Sequence, residues 1–196
     1  MGVEVLAATE QHDIVSRLLF IIGALGSIVG VIAPISRYVI YEPEILQTSF
    51  YLWLDTILWA LWYSLMGLGF LGFHRRYGRT CPSSITLLGL VTAALQILES
   101  VLPSVFIAIV DQTAVYPYLI VSSYLPVGTV TTLAMVGYAL RQTRERSRNR
   151  MLMGITGIGL IVGGIAIAAP FRIVWLIASV SSLLAFLLFI QECRVR

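Results

Sequence analysis

ITLLGLVTAALQILESVLPSVFIAIV, residues Ile85–Val110, is the stretch that decides the class of this chain. A helix needs about 20 apolar residues to cross ~30 Å of hydrocarbon, and this run exceeds that length. It carries one charge, Glu99, near its middle. A carboxylate at that depth costs roughly 2.5–3.5 kcal/mol on insertion scales, so it persists only where it is paired, protonated or in reach of water. Thr92, Gln96, Glu99 and Pro103 are spaced by four, three and four, which sets them on one helical face. Pro103 also removes the amide that would bond the carbonyl of Glu99. A carboxyl and a freed carbonyl therefore share one level of the membrane.

The next apolar run is built alike. Pro126 frees the carbonyl of Ser122, and Gly128, Thr129, Thr131 and Thr132 follow. Two proline-interrupted, hydroxyl-bearing helices joined by a short loop read as walls of a polar cavity. Its candidate ligand- or proton-binding groups are Glu99, Gln96, Thr92, Pro103 and Thr129. The competing reading makes Glu99 a buried, protonated acid that bonds a neighbouring Thr, Tyr or Gln and holds helices together. Asp55 lies about 8 Å, at ~1.5 Å per residue, from the start of the second run. It reads as an interfacial acid near the positive end of a helix dipole, or as the mouth of the same cavity.

Composition agrees with the class. The chain is 58% hydrophobic and 12% charged, against about 45–50% and about 25% for a soluble domain, and its mean hydropathy is +0.90. A soluble fold of this composition would have no surface left to wet. Six runs can be drawn: Ile14–Tyr38, Phe50–Phe73, Ile85–Val110, Tyr118–Leu140, Met151–Ala169 and Phe171–Ile190. They lack the dyad alternation of an outer-membrane barrel, so the expected fold is all-α: a polytopic bundle of six transmembrane helices. One transmembrane domain, 14–190, is expected between a short N-terminal segment, 1–13, and a C-terminal tail, 191–196. Glu4, Glu10 and Asp13 give that N-terminal segment none of the basic character of a signal peptide.

Arginine sets the orientation, for there is no lysine. All-arginine usage reads as a high-GC, prokaryotic genome, and it excludes lysine-dependent catalysis. Arg17, then Arg75, Arg76 and Arg79, then Arg141, Arg144, Arg146, Arg148 and Arg150, then Arg194 and Arg196 fall on one side. Only Arg37 and Arg172 fall opposite. The positive-inside rule places both termini in the cytoplasm, N-in and C-in, across the cell membrane. The tract Arg141–Arg150 reads as a topogenic signal, or as a contact for anionic lipid or an acidic partner.

Two glycine pairs speak to packing. Gly26/Gly30 and Gly159/Gly163 are Gly-x-x-x-Gly spacings, which allow close backbone approach between helices in lipid. They mark packing faces, with the two pairs candidates to face each other and contacts inside one chain favoured over a homo-oligomer interface.

Several chemistries are unsupported. His12 and His74 fall on the cytoplasmic side, so no intramembrane pair awaits haem, and Cys81 and Cys193 form no CxxC. No HExxH, GxSxG or P-loop occurs, and Ser100 beside Glu99 makes no nucleophile–base set. The chain is expected to be no enzyme, to need no metal or cofactor, and to bind no nucleic acid. Six helices, both termini inside and a chain of this length are similar to the substrate-binding S-components of energy-coupling-factor vitamin transporters, a likeness of size and topology only. Two functions follow as expectations: a small transport or solute-binding module with its site between helices three and four, or a non-catalytic accessory or anchor subunit of a larger membrane complex.

Overall fold

A computed structural model describes residues 2–40, 49–77, 130–147, 149–168 and 175–194. Among the described residues the regular structure is entirely helical. The helices are α1 (Gly2–Ile40), α2 (Ser49–Tyr77), α3 (residues 130–143), α4 (Arg150–Ala168) and α5 (Trp175–Arg194), with a 3-10 turn at Arg144–Arg146. Among the described residues, four stretches are long and apolar enough to cross a membrane: Ile14–Ser36, Ile57–Tyr77, Arg150–Ile167 and Trp175–Arg194. They match the first, second, fifth and sixth expected runs. Of the fourth, residues 130–140 lie in α3, and the third lies outside the described residues. Helix ends overrun the hydropathy reading, α2 among them, which runs on to Tyr77 past Phe73. α1 is already helical from Gly2, and α5 continues to Arg194, so residues 191–194 form a last helical turn. Hydropathy reports where lipid begins, whereas a helix can continue through polar residues.

Side chains are sorted for a nonpolar solvent. Ile14, Leu18, Ile21, Leu25, Ile28, Ile32 and Ile35 form an exposed row along α1 at steps of three and four. Met151, Ile155, Ile158, Val162 and Ile165 repeat it on α4, and Ile177, Val180, Leu183 and Leu187 do so on α5. Facing inward instead are small and hydroxyl residues, among them Ser27, Thr156, Ser179, Ser181 and Ser182. Such rows would drive aggregation in water, but lipid tails solvate them. Several inward hydroxyls bond carbonyls: Ser27 donates to Gly23 O, and Ser181 to Gly159 O and Ile177 O. Pro34 lies inside α1 and strips Gly30 O of its helical donor. One residue further on, Val31 O accepts a bond of 3.1 Å from Ser179 of α5.

Glycines set the helix contacts. A Cβ built on Gly23 would lie 2.6 Å from Gly69 Cα and 2.9 Å from the Phe189 ring, closer than real side chains approach. α1, α2 and α5 therefore meet at one point that only two hydrogens can occupy. Gly26 faces Leu65 and Met66, and Gly30 faces Trp62 and Ser182, so α1 and α2 run antiparallel. Gly137 of α3 meets Gly157 of α4, while Gly159 and Gly163 face Leu184, Ser181 and Ala178 of α5. The two Gly-x-x-x-Gly faces thus do not meet one another. Gly26 and Gly30 instead receive the large residues Leu65, Met66 and Trp62 of α2, while Gly163 meets the small residues Ser181 and Ala178 of α5.

Candidate functional site

The most concentrated polar cluster among the described residues closes one end of the bundle, and its centre is Glu192. Three elements bring it together. In the last turns of α2, Phe73, Arg76 and Tyr77 stand three and four residues apart and share a face. Phe189 and Glu192 share a face in the last turn of α5 by the same rule. After α3, the 3-10 turn leads into Ser147, whose extended backbone (φ −91, ψ 146) precedes Asn149. Asn149 O accepts from Met153 N at 2.9 Å, the first bond of α4.

Glu192 is fully buried. Its Oε2 accepts from Tyr77 Oη at 2.7 Å and from Arg76 Nη1 at 3.3 Å. Its Oε1 accepts from Ser147 Oγ at 2.9 Å and from Asn149 Nδ2 at 3.3 Å. Arg76 Nη1 also donates to the backbone carbonyl of Glu192 at 2.6 Å, filling one of the orphan acceptors at the C-terminus of α5, where a cation complements the dipole. The Arg76 guanidinium sits 4.8 Å from the centre of the Phe20 ring. Below it, Phe20 packs against Phe73 at 4.9 Å and Phe70 against Phe189 at 5.2 Å.

Burial makes this pair different from a surface salt bridge. The Arg76 side chain keeps only 15% exposure and that of Glu192 none. A buried carboxylate is tolerable only with its lone pairs filled, and here four side-chain donors fill them. An acid so committed has no lone pair left over for general-base work. Its role is to tie α2, α5 and the α3–α4 connection at one level.

The residues singled out from sequence are distributed unevenly. Glu99, Gln96, Thr92, Pro103 and Thr129 lie outside the described residues, as do Arg148, Arg172 and Cys81. Asp55 is half-buried near the other end of α2, where its Oδ1 accepts from Trp59 Nε1 at 3.0 Å. Arg141, Arg144, Arg146 and Arg150 are exposed at the Glu192 end. Glu145 bonds Arg144 at 3.1 Å and lies 3.7 Å from Arg150. Cys193 is a free thiol. Among the described residues, no cluster of three or more His, Cys, Asp or Glu could hold a metal.

Glu192 itself escaped the sequence reading, since it falls two residues beyond the last apolar run. One signal pointed to it: Arg76 and Glu192 both close apolar runs that end on the same side by helix parity. No protein-family model, curated protein sequence or solved structure matches this chain. Fold and site define it by class, as an integral membrane helix bundle packed through small residues and tied at one end by a buried ion pair.

Proposed function

We propose that this bundle is a small transport or solute-binding module of the cell membrane, with six spans, cytoplasmic termini and a polar site between the third and fourth spans. The observation that carries this reading is Thr132. Its hydroxyl is buried on α3, at 3% residue exposure, and has no hydrogen-bond partner among the described residues. In the sequence it follows Pro126 in the hydroxyl-rich stretch, so a solute, proton or water bound there would find an unused polar group. Most buried hydroxyls here bond a carbonyl, as Thr143 does with Ala139 O at 2.7 Å; Ser182 Oγ of α5, which faces Gly30, is the other buried hydroxyl without a partner among the described residues.

Topology supports the same reading. α2 and α3 both finish at the Glu192 end, through Tyr77 and through Ser147 just beyond Thr143. The six-span arrangement requires this, with Ile85–Val110 crossing in the opposite sense. The arginine asymmetry then puts the Glu192 end in the cytoplasm. In this reading the chain is no enzyme, needs no cofactor and binds no nucleic acid. The runner-up function, an accessory or anchor subunit, draws on the exposed Arg141, Arg144, Arg146 and Arg150, displayed beside a loop that Glu192 holds in place.

Native mass spectrometry of the protein purified in mild detergent tests the two against each other. Transport predicts a retained small-molecule adduct that is lost in Glu99→Gln and in Thr132→Val while the fold persists. A stoichiometric second protein, with no adduct and no response to either substitution, would select the accessory reading.

A further inference from the structure

α4 begins beside an open recess of about 550 Å³, lined by Asn149, Arg150, Met151, Leu152, Ile155 and Gln191. The wall changes character along its length. Arg150 and Gln191 are exposed toward the arginine-bearing end. Met151 is 79% exposed and Ile155 40%, four residues apart on the apolar outer face of α4. Cation and amide thus stand directly above an uncovered aliphatic wall at the level where the span begins.

The start of α4 adds to this. Asn149 directs its side-chain amide to Glu192 Oε1 instead of folding back on its own helix. First-turn amides have no partner within a helix, and the dipole there favours an anion. The surrounding charge has the same sign, because the tract Arg141–Arg150 holds five arginines against the single acid Glu145. Arg150 keeps 67% of its side chain exposed, with Glu145 3.7 Å away.

We propose that this recess seats an anionic phospholipid, its phosphate at Arg150, Gln191 and the first turn of α4, and its acyl chain along Met151 and Ile155. Both halves of the wall require an amphiphile. Free phosphate has no use for the aliphatic part. An acidic protein segment would satisfy the arginines but makes no use of the lipid-facing Met151 and Ile155 directly below them. Glu192 contributes by holding Ser147 and Asn149, so the head-group contacts stand in place before the lipid arrives.

The test is native mass spectrometry of the full chain in mild detergent, titrated with phosphatidylglycerol or phosphatidylcholine. Phosphatidylglycerol should be retained in preference. Arg150→Gln should lower that retention about fivefold, the effect of one interfacial cation. Arg75→Gln, exposed at the same end but outside the recess, should leave it unchanged. Ile155→Asn should weaken a long-chain phosphatidylglycerol and spare a short-chain one. Equal retention of the two lipids, or equal loss in Arg150→Gln and Arg75→Gln, would overturn the proposal. So would displacement of the lipid by millimolar inorganic phosphate, or an acidic protein occupying the Arg150 face in its stead.

Discussion

Glu192 and Asp55 stand near opposite ends of the bundle, separated by roughly 33 Å along α2 at 1.5 Å per residue. Glu192 is fully buried and takes side-chain donors from α2 and from the α3–α4 connection, up to 116 positions away in sequence. Asp55 is half-buried and accepts from Trp59, four residues on in its own helix. The chemical group is the same, and its surroundings decide what it does. Where water is excluded, a carboxylate must collect partners from several elements, and in doing so it fixes their positions. Where water is within reach, hydration meets part of that demand, so burial does not oblige the group to collect partners from several elements.

That contrast predicts unequal consequences. Glu192→Leu removes the acceptor that Arg76, Tyr77, Ser147 and Asn149 share in a buried site, and should destabilise the protein in detergent by about 3–5 kcal/mol. Thermal or denaturant unfolding would measure it, and a loss below about 1 kcal/mol would break the comparison. Next in size are the packing glycines. Gly69→Leu must displace both α1 at Gly23 and the Phe189 ring, with an expected loss of about 1–3 kcal/mol from overpacking. Gly154→Leu is the internal control, since the nearest neighbour of its Cβ would be Arg144 Cδ at an ordinary 3.7 Å. Unfolding of the two variants at the same denaturant concentration would remove close approach from the account. The smallest effect belongs to Asp55→Asn, which keeps an acceptor for Trp59 and at a half-exposed position should cost no more than about 1 kcal/mol, the worth of a solvent-screened charge. A shift several times larger would assign Asp55 a tertiary role that its half-exposed position does not require.

Much of the fold was legible because lipid imposes its own pattern. The exposed isoleucine row of α1 and the inward small residues are visible as spacing alone, and so is the length of each span. Gly26, Gly30, Gly159 and Gly163 could be recognised as permitting close approach, but not assigned to α2 and α5. Spacing says that a face is flat and leaves open what lies on it. Glu192 was harder still. Hydropathy closed the sixth run at Ile190, which made the acid look like part of a solvated tail, when the helix carries it inward against Tyr77 and Ser147. Nothing local marks a carboxylate whose partners are two other segments of chain. The polar stripe around Glu99 is a pattern of the sequence alone, as its residues lie outside those the structure describes.

A double-mutant cycle between Arg76 and Glu192 is the most direct test of the tie. Arg76→Leu, Glu192→Leu and the double variant would be unfolded in the same detergent. Burial predicts that each single change is severe and that the double variant loses clearly less than the sum of the two, with a coupling of about 2–3 kcal/mol. Losses that simply add, within about 0.5 kcal/mol, would mean that the two side chains act independently, contradicting the claim that this buried pair closes the bundle.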